Sequence, residues 1–123
     1  MNAEAAVLVV DDEADVRTSV ADILRDAGYE VEEAADGNEA LAVLARGEVA
    51  AMLLDLVMPR CDGIAVMDAL RDPPPVLVIS AHHIDVLARQ KLEGKVVDFL
   101  EKPVPPRELL ARVAELVGKR SAS

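Results

Sequence analysis

Aromatic side chains are almost missing from this 123-residue chain, which has one Tyr, one Phe and no Trp. A core must therefore be filled by Val, Leu, Ile and Ala, a composition suited to strands buried on both faces of a parallel sheet. Cysteine occurs once, as Cys61. That excludes an intrachain disulfide and a cysteine-based zinc site, and Cys61 reads as a small loop residue rather than a reactive thiol. Cationic residues are outnumbered, 13 Lys and Arg against 23 Asp and Glu, for a net charge of −10. Such a balance argues against direct nucleic-acid binding, which needs a basic patch. It fits attraction for cations, and equally a surface kept soluble by charge. No apolar run approaches the ~18 residues of a membrane span. Met1-Asn2-Ala3-Glu4 has neither the basic stretch nor the apolar segment of a secretory leader, so the expected location is the cytoplasm.

What the chain does have is apolar content, 52% of residues, which excludes disorder. Its length suits one domain, residues 1–123, with the small polar tail at 119–123 expected to fray. Along it, short apolar runs alternate with helical patterns. Val7-Leu8-Val9-Val10 precedes a helix whose apolar face is Val16, Val20, Ile23, Leu24 and Ala27, closed by Gly28. Tyr29 to Ala34 reads as a strand with alternating acids, partly exposed. Asp36-Gly37-Asn38-Glu39 resembles a capping box opening a helix through Ala45, with Gly47 past its end. Ala51-Met52-Leu53-Leu54 is the third run. A helix bearing Ile64, Met67 and Leu70 follows, stopped by Pro73-Pro74-Pro75. Val76-Leu77-Val78-Ile79 is the fourth run, trailed by a weaker helix from about Ile84 to Leu92 and by Gly94. Val96 to Leu100 is the fifth. The last helix starts near Pro106, a favoured first helical residue, and buries Leu109, Leu110, Val113 and Leu116.

Five β–α units in strict alternation imply a parallel sheet with right-handed crossovers. The polar second strand suits an edge. The expected fold is therefore α/β, a (βα)5 doubly wound, flavodoxin-like three-layer sandwich with strand order 2-1-3-4-5. In such sheets ligands bind beyond the carboxyl ends of the strands. The residues found there are Asp11 and Asp12 after the first strand, Asp55 after the third, Ser80 after the fourth and Lys102 after the fifth.

Each of these has a bland reading of its own. Asp12 can cap the first helix, Asp55 and Ser80 can form turns, and a single Lys is usually a solvated charge. Their convergence on one edge is harder to explain by solubility. Carboxylates ~5 Å apart repel by roughly 3 kcal/mol per pair at an effective dielectric of ~20. A hard divalent cation with oxygen ligands, Mg²⁺ above all, or the Lys102 ammonium would offset that repulsion. An ionised Asp can itself attack phosphorus if charge on the phosphoryl oxygens is relieved. Asp55, the lone acid after a fully apolar central strand, is the best nucleophile candidate, while Asp11 and Asp12 suit a metal. Three features are set aside: His82-His83 as solvated loop residues, Cys61, and Glu13 as lying along the exposed side of the first helix.

Asp11-Asp12 after an apolar strand, Asp55-Leu56-Val57-Met58-Pro59-Arg60-Cys61-Asp62-Gly63, Ser80-Ala81 and Asp98-Phe99-Leu100-Glu101-Lys102-Pro103 resemble the receiver domains of two-component response regulators. The resemblance covers residues 5 to 118. It implies Asp55 as phospho-acceptor, and Mg²⁺ (or Mn²⁺) ligation by Asp12, Asp55 and the Val57 carbonyl, with Asp11 acting through water. It also implies phosphoryl contacts from Ser80 and Lys102, a Ser80–Phe99 switch pair and a cis Lys102–Pro103 peptide. The implied phosphodonor is a sensor histidine kinase or phosphotransfer protein docking beside the first helix and Val104-Pro105. The implied output is a partner-binding surface of the fourth helix, fifth strand and last helix, in a monomer or a weak phosphorylation-dependent dimer. The protein would catalyse its own phosphorylation and slow dephosphorylation, and would not be a conventional enzyme.

Departures from the family pattern are a short segment between Asp55 and Ser80, from which a truncated third helix is expected, and Gly94-Lys95-Val96-Val97 in place of a Gly-Ala pair. Val57 and His82 flank the site and are expected to tune hydrolysis of the phosphate. Two other functions compete. One is a pseudo-receiver that is never phosphorylated, against which the complete acid, hydroxyl and lysine set speaks. The other is a metal-dependent phosphohydrolase, which usually needs a second acid where Val57 stands.

Overall fold

A computed structural model of the chain describes residues 6–46, 49–55, 74–80 and 98–122. The sheet comprises β1 (Ala6–Val10), β2 (Val31–Ala34), β3 (Val49–Leu54), β4 (Val76–Ser80) and β5 (Asp98–Glu101). The helices are α1 (Ala14–Asp26), α2 (Gly37–Arg46) and a C-terminal helix (Pro106–Ala122). All strand pairs are parallel and the order is β2-β1-β3-β4-β5, the doubly wound arrangement expected from the alternation. The helices expected at 64–70 and 84–92 and the terminators Gly47 and Gly94 lie outside the described residues.

The side-chain period of two divides the strands between two cores. Val7, Val9, Leu53, Leu77, Ile79 and Leu100 face Val20 and Leu24 of α1 and Leu109, Val113 and Leu116 of the C-terminal helix. Leu8, Val10, Met52, Leu54, Val76 and Val78 face Ala40, Leu41 and Leu44 of α2. All six β3 residues are buried, as a central strand covered on both faces must be. β2 lies at the edge with Glu32 exposed, in accord with its acidic pattern.

The local signals translate into geometry. Gly28 sits at φ +100° and ends α1. Its N–H donates to the Arg25 carbonyl, and that of Tyr29 donates to the Leu24 carbonyl, the paired bonds of a Schellman motif. Ala27, expected on the buried face, is exposed because the helix has already ended there and the residue caps it. At α2, Asp36 Oδ1 accepts the Glu39 N–H at 2.9 Å and Glu39 Oε1 accepts the Ala35 N–H at 2.8 Å. This is a capping box displaced by one residue on its return arm. Leu110, expected in the core, is only half-buried. The C-terminal helix continues through Lys119 to Ala122, past the point where the polar tail suggests fraying.

Candidate functional site

Strand register brings the first acids together. The Asp11 N–H donates to the Ala34 carbonyl at 3.1 Å and the Asp55 N–H to the Val10 carbonyl at 3.0 Å. Each bond extends the ladder one residue beyond its strand and fixes both carboxylates at the C-terminal edge of the sheet. Asp11 and Asp55 are buried, at 4% and 7% exposure, whereas Asp12 is exposed. One oxygen from each of Asp11, Asp12 and Asp55 lies within 4.8 Å of the others. Three hard oxygen donors at that spacing suit Mg²⁺, which takes one or two carboxylates and keeps several waters.

Lys102 enters from the far side of the sheet. It follows β5 and is joined to Pro103 by a cis peptide bond. Its Nζ stands 2.7 Å from Asp11 Oδ2, 3.0 Å from Glu13 Oε1 and 3.4 Å from Asp55 Oδ2. Burial is the largest single influence on the ammonium and by itself favours the neutral form. The hydrogen bonds to Asp11 and Glu13, with the charges of Asp11 and Asp55, outweigh it and hold the Lys102 pKa above the usual lysine value. All three ammonium protons therefore have an acidic acceptor within reach.

Two residues here escaped the sequence reading. Glu13, set aside as exposed, is the N-cap of α1, and although 58% exposed its side chain turns back to Lys102. Its N–H donates to Asp11 Oδ1 at 2.9 Å, so the β1–α1 turn is closed by Asp11; α1 has no side-chain cap bond, and the reading of Asp12 as its cap is not realised. Arg17 is the second, donating through Nη1 to the Asp11 carbonyl at 2.8 Å. Only the pairing of an arginine on the first helix with an acid on β2 could have pointed to it, and that pairing requires the strand order.

Other expected positions are placed in part. Ser80 ends β4 opposite Glu101, and Phe99 lies opposite Val78 on β5. The Phe99 ring is half-buried and packs against the core on the α2 side. Val57, Cys61, His82 and His83 lie outside the described residues. Beside the acids, a groove of about 560 Å³ runs between α1 and the Lys102-Pro103-Val104 segment. Val16, Ser19 and Ile23 line it, with Glu13 and Asp15. Among the described residues no helix is long and apolar enough to cross a membrane.

Comparison with known proteins agrees with this geometry. The response regulator receiver domain family matches residues 7–114. The chain is 41% identical over 118 residues to the response regulator MprA of Mycobacterium sp. (strain KMS), covering 94% of this chain and 51% of that protein. It is also 41% identical over 120 residues to the transcriptional regulatory protein PrrA of Mycobacterium tuberculosis, covering 95% and 52%. The chain thus spans about half the length of the curated relatives it matches. Among solved structures, the chemotaxis protein CheY4 of Vibrio cholerae superimposes with a TM-score of 0.85 at 33% identity, covering 93% of this chain and 99% of that one. The receiver domain of NtrX from Brucella abortus gives 0.83 at 34%, covering 91% and 98%. A 2-1-3-4-5 parallel sheet, acids and a lysine gathered at its carboxyl edge, and a family match over most of the length together establish that this chain belongs to the response regulator receiver domains of two-component signalling.

Proposed function

We propose that the chain accepts a phosphoryl group on Asp55 from a phosphohistidine of a sensor kinase or phosphotransfer protein, and signals through the change that follows. One observation carries the reading: a buried Asp55 carboxylate within 4.8 Å of two other acids and 3.4 Å from an ammonium. Asp11, Asp12, Asp55 and the Val57 carbonyl would hold Mg²⁺ or Mn²⁺, which when bound neutralises the acids and the phosphoryl oxygens. An Asp55 carboxylate oxygen attacks phosphorus in line, a P–O bond forms, the P–N bond breaks and the imidazole leaves. Lys102 and Ser80 contact the transferred oxygens. Hydrolysis later returns the Asp55 carboxylate and inorganic phosphate.

The groove along α1 is the docking place for the donor, because it opens onto Lys102 and Glu13 and offers an apolar floor of Val16, Val20 and Ile23. Phosphorylation adds about two negative charges at one point. Movement of Ser80 and Phe99 then favours a pre-existing active form of the surface made by the fourth helix, β5 and the C-terminal helix. The chain binds a downstream protein there, as a monomer or a weak phosphorylation-dependent dimer. Incubation with acetyl phosphate and Mg²⁺ tests the reading. One phosphoryl group per chain is expected, lost with chelator and in Asp55→Asn. Labelling that survives Asp55→Asn, or no labelling of the unaltered chain, refutes it.

A further inference from the structure

Asp11 is held at all four of its polar atoms. Its N–H goes to the Ala34 carbonyl, Oδ1 accepts the Glu13 N–H, Oδ2 meets the Lys102 ammonium, and its carbonyl oxygen accepts from Arg17. The first three holders belong to the sheet ladder or to the site. The fourth is a side chain from the first turn of α1, and it is itself anchored: Arg17 Nε donates to Glu33 Oε1 at 3.2 Å, with side-chain exposures of 18% and 26%. Glu33 stands on β2 opposite Val9, and its other oxygen takes Arg25 Nη1 at 3.1 Å. Arg25 is bound to the same acid, yet its further contacts, the Val31 carbonyl and Asp22, lie away from the cluster.

We propose that Arg17 is a positioning residue for metal binding, tying the Asp11–Asp12 peptide to the edge strand through Glu33; the proposal rests on the metal reading given above. The guanidinium is a rigid planar fork, so a grip on Glu33 through Nε also fixes where Nη1 points. The peptide unit is planar, so the bonded Asp11 carbonyl sets the direction of the Asp12 N–H and of the main chain into Asp12. Asp12 is the exposed member of the acid cluster. Its carboxylate is placed by the backbone beneath it more than by surrounding packing. Without Arg17 the carbonyl loses its partner, the turn gains freedom, and the three carboxylates are no longer held at ligating distance.

Calorimetric titration of Mg²⁺ into the full chain and into Arg17→Gln, Arg17→Lys and Arg25→Gln tests this, with thermal unfolding and amide hydrogen exchange recorded on the metal-free proteins. Arg17→Gln is expected to weaken Mg²⁺ binding about tenfold, the usual scale for groups that orient a ligand. Arg17→Lys keeps a donor without the fork and falls between. Arg25→Gln breaks a more exposed bond to the same Glu33 and changes Mg²⁺ affinity by less than about twofold. The Glu13 amide exchanges faster in Arg17→Gln and at the original rate in Arg25→Gln. Should Arg17→Gln not fold, Arg17→Lys carries the comparison. An Arg17 variant that binds Mg²⁺ as tightly as the unaltered chain, or an equal loss in Arg25→Gln, overturns this inference alone. Failure of the unaltered chain to bind Mg²⁺ overturns the metal reading and this inference together.

Discussion

Replacing Lys102 by Met keeps an apolar stem of similar length and removes a cation bonded to both Asp11 and Asp55. Asp11 and Asp55 then face each other within 4.8 Å without the ammonium between them, a repulsion of roughly 3.5 kcal/mol at an effective dielectric of ~20. Lys102, Asp11 and Asp55 have side-chain exposures of only 10%, 6% and 8%, so solvent screens them weakly. Breaking a buried ion pair by removing one partner commonly costs about 3–5 kcal/mol; the opening toward the groove argues for the lower end, about 3 kcal/mol. In a domain of this size that corresponds to a fall in Tm of about 10 °C. Mg²⁺ should then act in the opposite sense. The ammonium occupies carboxylate oxygens that a metal would take, so Lys102→Met should bind Mg²⁺ about tenfold more tightly, which returns about 1.4 kcal/mol at saturation and closes near half of the gap. Thermal unfolding of both proteins in chelator and across a Mg²⁺ titration measures this. A Lys102→Met protein as stable as the original without metal, or equal stabilisation of both by Mg²⁺, would refute the competition between ammonium and cation.

The same ion pairs set a pH window. The folded Lys102 pKa lies above the ordinary 10.5, so its stabilisation is fully present below 10.5 and is lost as pH rises beyond it toward the folded value. The stability difference between the original and Lys102→Met, from urea unfolding, should be flat between pH 7 and about 10 and shrink only above that. Gly28→Ala should cost about 1 kcal/mol, because φ +100° strains any residue with a Cβ although nothing crowds the position; an unchanged urea midpoint would count against the Schellman turn. Asp36→Ala removes the acceptor for the Glu39 N–H and should lower stability by about 1 kcal/mol; Asp36→Asn, which keeps an oxygen there, should lose only part of that.

The period-two and period-3.6 patterns of apolar residues were enough to specify the five parallel strands and the three helices among the described residues, because burial on both sheet faces demands them. Polar substitutions at the strand ends marked the site, because a doubly wound sheet delivers its carboxyl edges to one place. Asp11, Asp12, Asp55 and Lys102 were legible for that reason, as were Gly28 and the Asp36–Glu39 cap, whose signals are local. Glu13 and Arg17 were not. By helical pattern alone each is a charged residue near the start of an amphipathic helix, indistinguishable from solvated neighbours such as Asp15. Their partners, Lys102 and Glu33, lie 89 and 16 residues away in sequence, and only strand order and register decide which charges meet. The extent of the buried face of α1 was likewise a tertiary matter: the Gly28 turn ends the helix before Ala27 can pack. Composition and periodicity thus determined the sheet, its edge and the acids on it. Which cations hold those acids was decided by long-range pairing, since a charge has no periodicity and takes its partner from whatever the fold brings within reach.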